Sequence, residues 1–189
     1  MNSTDGGLKW SKILLNTTGN LFCIKFSGST FISGDTGIVF KSTNSGLNWS
    51  RKTTNVTRTL TSIAVQNSLV IAAGLNGTVI RSTDTGETFQ TVNPSNTNYF
   101  FDIMFRDSAT SFISGAYGTI LRSTNSISWN PMSTSTNRWF YSIAFGDQNT
   151  GFATSDYGNI SKTTNGGLTH GLLMRHQLQS FSIPFRHLV

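Results

Sequence analysis

The chain has 189 residues, only 12% of them charged, with a formal net charge of +6, fourteen Phe, four Trp and a single cysteine. This length suits one well-packed domain and is short for two. The composition excludes a membrane-spanning helix, because no apolar run approaches about 20 residues. It also excludes an intrachain disulfide and a basic nucleic-acid-binding tract, because the cations never cluster with exposed aromatics.

Polar sequence begins at Met1, so no secretory signal peptide is expected in this chain. The compartment stays unassigned, with a secreted or cell-surface setting favoured. The first motif is Ser3-Thr4-Asp5-Gly6-Gly7-Leu8-Lys9-Trp10. A short apolar strand is predicted over Leu21–Phe26, with Cys23 as a buried, inert thiol. A second strand, Phe31–Gly34, runs into the turn Gly34-Asp35-Thr36-Gly37. A third strand then leads to Ser42-Thr43-Asn44-Ser45-Gly46-Leu47-Asn48-Trp49, a second copy of the first motif.

The same order repeats to the end of the chain. First strands are predicted over Leu60–Val65, Phe100–Phe105 and Phe140–Phe145, and second strands over Val70–Gly74, Phe112–Gly115 and Phe152–Ser155. The turns read Gly74-Leu75-Asn76-Gly77, Gly115-Ala116-Tyr117-Gly118 and Ser155-Asp156-Tyr157-Gly158. The eight-residue box recurs from Ser82 through Asp84 and Gly86 to Phe89. It returns from Ser123 through Asn125 to Trp129 with its Gly missing, and again from Thr163 through Asn165 and Gly167 to His170. Box starts are 39, 40, 41 and 40 residues apart. Such a period decides the architecture.

Four short antiparallel strands per period form one blade of a β-propeller, and tandem blades cover each other's apolar faces. The expected fold is all-β: about four complete four-stranded blades plus terminal fragments, as a partial ring. Alternatively the ring closes when the strand after Trp10 pairs with the C-terminal fragment. The repeats occupy 1–170. The segment 171–189 reads as degenerate, with Leu178–Phe185 as a degenerate first strand.

Within each box the third-position Asp or Asn accepts backbone N–H bonds across the turn. The Gly supplies a left-handed backbone, and the aromatic opens the next strand and packs between strands of its own blade. The box residues Ser3, Asp5, Gly7, Trp10, Ser42, Asn44, Gly46, Trp49, Ser82, Asp84, Gly86, Phe89, Ser123, Asn125, Trp129, Thr163, Asn165 and Gly167 are therefore read as structural. The cations Lys41, Arg81, Arg122 and Lys162, each preceding a box, read as solvated strand-end charges spaced around the ring.

The pattern S-x-D-x-G-x-x-W at this spacing resembles the Asp-box (BNR) propellers. The whole repeat is most similar to the photosystem II stability/assembly-factor-like domain. Gly115 through Asn125 is the best single match, and the resemblance covers about residues 1–170. It implies the propeller fold and a scaffold for protein–protein interaction. The motif is shared by sialidases, glucanases, sorting receptors and assembly factors, so the fold does not carry one function.

No catalytic constellation is expected. A sialidase needs converging arginines and a Tyr–Glu pair, and the only glutamate, Glu87, lies inside a box. A glucanase needs two facing carboxylates, and Asp35 and Asp156 are better explained as turn residues. His170, His176 and His187 have no metal-ligand spacing, and neither metal nor cofactor is expected. A partner is expected on the face opposite the boxes, at Asp35, Arg58, Asn76, Tyr99, Tyr117, Arg138, Trp139 and Tyr157, because arginines beside aromatics dominate protein interfaces. The alternatives are a sialidase-like or glucanase-like glycoside hydrolase, or a fragment of one, and an extracellular adhesion or carbohydrate-binding module.

Overall fold

A computed structural model describes residues 2–168. The segment 171–189, the expected strand over 178–185 and all three histidines lie outside the described residues. Three four-stranded antiparallel sheets follow one another in sequence. The first holds β1 (Leu21–Ser27), β2 (Ser29–Gly34), β3 (Val39–Ser42) and β4 (Ser50–Lys52). The second holds β5 (Leu60–Gln66), β6 (Leu69–Gly74), β7 (Val79–Ser82) and β8 (Gln90–Val92). The third holds β9 (Phe100–Phe105), β10 (Ser111–Gly115), β11 (Ile120–Ser123) and β12 (Asn130–Pro131). A fourth sheet has β13 (Phe140–Phe145), β14 (Gly151–Ser155) and β15 (Asn159–Thr163). Four full blades were expected; the fourth strand of the last one falls outside the described residues.

The innermost strands β1, β5, β9 and β13 stand next to each other in that order, so the sheets are blades about a common axis. Blades sandwiched on both sides need apolar residues on both faces, and β6 meets this with Val70, Ile71, Ala72 and Ala73 all fully buried. Between blades 1 and 2 the core gathers Phe31, Val39, Leu60, Ile63 and Phe89. Between blades 2 and 3 it gathers Ile71, Val79, Phe100, Ile113 and Trp129. Phe89 and Trp129 thus fill the junction with the preceding blade, whereas Trp49 packs on Ile32, Ile38 and Phe40 of its own blade. For Phe89 and Trp129 this corrects the expectation of packing within their own blade, which Trp49 meets: the outer strand starts one residue after the aromatic, which leaves the ring free to cross the junction.

The box turns form as their chemistry requires. Ser42 Oγ donates to Asn44 Oδ1 at 3.0 Å and accepts from Gly46 N–H at 2.9 Å, while Asn44 Oδ1 accepts from Asn48 N–H at 2.9 Å. Ser82, Asp84, Gly86 and Thr88 repeat the network, as do Ser3, Asp5, Gly7 and Lys9. Thr163 does the same toward Asn165 and Gly167. In the shortened fourth box Ser126 takes the role of the missing Gly, with φ 60° and its N–H on Ser123 Oγ at 2.8 Å.

The described residues form a partial ring with apolar surface at both ends. Phe22, Ile24 and Phe26 of β1 are exposed, and so are Phe152 and Ile160 of the last blade. Leu15, in the segment preceding β1, packs with Ile32, Ile38, Phe40 and Trp49 on the first blade. Cys23 is half-buried rather than buried, with its thiol 3.9 Å from the Ile63 carbonyl of the next blade.

Candidate functional site

Each hairpin between the second and third strands closes through one tight turn on the face opposite the boxes. Its two central residues both have positive φ: Thr36 and Gly37, Asn76 and Gly77, Tyr117 and Gly118, Tyr157 and Gly158. The i→i+3 bonds run from Ile38 N–H to Asp35 O, Thr78 N–H to Leu75 O and Thr119 N–H to Ala116 O. Such a turn suits an Asn-Gly pair, which the second blade supplies. In the third and fourth blades a tyrosine occupies the position of Asn76, with φ 55° in both cases. A tyrosine held there costs about 1–2 kcal/mol of backbone strain. Both rings project outward, at 60% exposure for Tyr117 and 87% for Tyr157.

These turns lean on the connections between blades. Ala116 N–H donates to Tyr99 O at 2.8 Å, and Gly118 N–H donates to Arg138 O at 2.7 Å. The turn of the third blade is thus tied to the chain entering its own blade and to the chain entering the next one. Tyr117 and Trp139 meet edge to face at 5.8 Å as a result. Trp139 lies 5.6 Å from Phe101, which lies 5.3 Å from Tyr141. The Arg138 guanidinium sits 5.3 Å from the Tyr157 ring and donates to Asp156 Oδ1 at 3.3 Å.

Phe101 and Tyr141 join this cluster through a device repeated in every blade. Leu21 pairs with Gly34 and Cys23 with Ser33, so Phe22 is an extra residue in the inner strand. Thr61, Phe101 and Tyr141 are the equivalent bulged residues in the other three blades. A bulge re-aims one side chain out of the pleat. Consecutive aromatics in Phe100-Phe101 and Phe140-Tyr141 break strict alternation, and that was the signal in the sequence.

Of the eight residues expected on this face, four come together: Tyr117, Arg138, Trp139 and Tyr157. Arg58 and Asn76 are exposed on earlier blades, and Tyr99 is partly exposed beside the third turn. Asp35 is occupied in the turn itself, accepting from Asn20 N–H at 3.0 Å, Thr59 Oγ at 3.0 Å and Asn20 Nδ2 at 2.9 Å. Those bonds, the Asn20 backbone bond foremost, hold its carboxyl below the usual range.

The remaining carboxylates are also engaged. Asp102, on the inner strand β9, accepts from Ser62 Oγ of blade 2 and from Ser142 Oγ and Ile143 N–H of blade 4, linking three blades. Burial opposes ionisation of Asp107, but the N–H groups of Ala109 and Thr110 with Arg106 overcome it, and its carboxyl is lowered to about 2. Glu87 is bound by Lys41 and Lys52, each at 2.7 Å, and these hydrogen bonds lower its carboxyl. This corrects the reading of the box-preceding cations as solvated: Lys41 is only 6% exposed, because the next blade covers it and supplies its counter-ion. Among the described residues no three His, Cys, Asp or Glu side chains gather as a metal site, and no helix is long and apolar enough to cross a membrane.

No protein-family model and no curated protein matches this sequence. The fold is nonetheless similar to solved β-propellers. YCF48 bound to D1 peptide aligns with a TM-score of 0.68 and 21% identity, over 88% of this chain and 58% of that one. YCF48 from Cyanidioschyzon merolae aligns with a TM-score of 0.67 and 17% identity, over 87% and 63%. An ancestral GH74 enzyme aligns with a TM-score of 0.62 and 20% identity, over 78% of this chain and 24% of the enzyme. The chain therefore has a β-propeller fold like that of the photosystem II assembly factor YCF48, and spans about three fifths of the length of those YCF48 structures.

Proposed function

We propose that this chain is a non-catalytic propeller scaffold that binds a protein segment on the turn face of its third and fourth blades. The observation that carries the reading is the placement of Tyr117 and Tyr157. Both occupy left-handed backbone where Asn76 shows what an unstrained turn uses, and both present their rings to solvent beside Arg138 and Trp139. Strain held at an exposed aromatic gains nothing for the core, and strained residues concentrate at binding sites. Aromatic rings beside an arginine are the side chains that most often dominate binding energy. The engagement of the aspartates and of Glu87 in turn, inter-blade and ion-pair contacts favours binding over hydrolysis. In the finer form of the reading the partner is a peptide of an assembling membrane protein. The similarity of fold to YCF48, solved with a D1 peptide, supports it.

Titration of the D1 peptide against the purified chain, followed by fluorescence anisotropy, tests this. Arg138→Ala and Trp139→Ala are each expected to weaken binding by at least about tenfold, or 1.4 kcal/mol. Leu47→Ser, on an exposed box tip, is expected to leave binding unchanged. Equal affinities for all four proteins would contradict the assignment of the face.

A further inference from the structure

The junctions between blades repeat, but among the described residues only the first carries an acid. Ile127 and Leu168 take the place of Glu87 at the second and third. Arg122 at the third junction, like Arg81 at the second, has a buried Nε without a partner among the described residues. At the first junction Lys41 is covered by the next box and paired with Glu87, which Lys52 also holds. One junction later Arg81 stands where Lys41 stood, preceding its box in the same register: Ile71 faces Arg81 across the sheet as Phe31 faces Lys41. The residue in the place of Glu87 is Ile127. The hydrogen bonds identify it, since Glu87 N–H donates to Asp84 Oδ1 and Ile127 N–H donates to Asn125 Oδ1. Among the described residues the Arg81 side chain has neither ion pair nor hydrogen bond, and its Nε is buried without a partner.

A second donor beside it is also unpaired, for an independent reason. Trp10 and Trp49 donate their indole N–H to the carbonyl of the box glycine, Gly7 at 3.0 Å and Gly46 at 2.9 Å. The fourth box has lost that glycine, so the Nε1 of Trp129, a residue only 6% exposed, is left with no acceptor. Arg81 and Trp129 line one groove of about 510 Å³ between the edge strand β8 of blade 2 and the shortened box of blade 3. The rest of its wall includes Gln90, Asn93, Ser95 and Ser128, and no acidic side chain lines it. Buried donors without acceptors are rare in folded proteins, and an arginine is the best-suited side chain for recognising a carboxylate.

We propose that this groove is a carboxylate-binding subsite that receives a Glu or Asp side chain of a protein partner. The incoming carboxylate takes the place that Glu87 fills one junction earlier. Arg81 supplies the charge and the Trp129 indole a second hydrogen bond. The net positive charge of the chain favours such an approach at long range. The groove shares no residue with the cluster of Tyr117, Arg138, Trp139 and Tyr157, so each site stands or falls separately.

The test is a ¹⁵N NMR titration with the blocked tripeptide acetyl-Gly-Glu-Gly-amide, and with its Gln analogue as the control. The signals to follow are the Arg81 Nε–H and the Trp129 indole N–H, identified through Arg81→Gln and Trp129→Phe. The Glu peptide is expected to shift both signals saturably and the Gln peptide to shift neither. Arg81→Gln is expected to weaken binding at least about tenfold. Ile127→Glu, at an exposed position that a change should not unfold, restores the carboxylate within the chain and is expected to abolish binding. Equal shifts from the two peptides, or no shift from either, would overturn the proposal. So would undiminished binding by Ile127→Glu, or a response to glucuronate alone, which would place an acidic sugar in the groove.

Discussion

Gly118→Ala is expected to destabilise the protein by about 3–5 kcal/mol, the range reserved for substitutions that force backbone to move. A Cβ at Gly118 would stand 1.9 Å from the Thr136 carbonyl oxygen and 2.9 Å from Thr134 Oγ, and φ is +71°. The strand connection cannot withdraw, because Gly118 N–H and C=O are bonded to Arg138 O and Thr134 Oγ. Gly158→Ala is the matching control. Its φ is +69°, and nothing among the described residues lies within 4 Å of the added atom, so there only the left-handed penalty of about 1–2 kcal/mol applies. Urea unfolding of the two variants separates backbone strain from collision. A loss at Gly118 no larger than at Gly158 would mean that the turn is not seated against the next blade.

Phe100→Ala is expected to cost about 3–5 kcal/mol, as removal of a buried aromatic ring does when the cavity cannot collapse. Phe100 has no exposed surface and sits among Ile71, Val79, Ile103, Ile113, Leu121 and Trp129, which belong to blades 2 and 3. The walls are two sheets held by their own ladders, so neither can close onto the void. At about 2–4 °C per kcal/mol for a chain of this size, the thermal midpoint should fall by roughly 6–20 °C. Ile127→Ala, at 55% exposure, should remain within about 0.5 kcal/mol of the parent. A loss below about 1 kcal/mol at Phe100 would contradict tight packing at this junction.

What could be read in the chain was local and periodic. The forty-residue spacing, the Gly-x-x-Gly turns and the box hydrogen bonds depend on residues within a few positions of each other. They appear in the structure with the expected partners, down to Ser82, Asp84 and Gly86. The inner strands Phe100–Phe105 and Phe140–Phe145 have their expected bounds. What escaped the reading is made between blades. Glu87 reaches Lys41 across 46 positions of sequence, and no local pattern marks that pairing. Phe89 and Trp129 turn into the preceding junction for the same reason. Phe101 and Tyr141 belong to the aromatic cluster only because a bulge rotates them out of the alternation by which strand faces are assigned. Asp35 was read both as a turn residue and as part of the binding face; its carboxylate does close the hairpin, but against Asn20 and Thr59, partners 15 and 24 positions away that no local pattern marks.

The central claim is that the tyrosine turn tips serve a partner and not the fold. Tyr157→Asn tests it most directly, with stability and D1-peptide affinity measured on the same preparation. Asn relieves up to about 1–2 kcal/mol of left-handed strain but gives up the contact with Arg138, worth about 0.5–1 kcal/mol at an exposed site, so stability should be unchanged or rise by up to about 1.5 kcal/mol. Affinity should fall at least about tenfold. A drop in stability of more than about 1.5 kcal/mol with unchanged affinity would contradict the claim and make the tip a structural element.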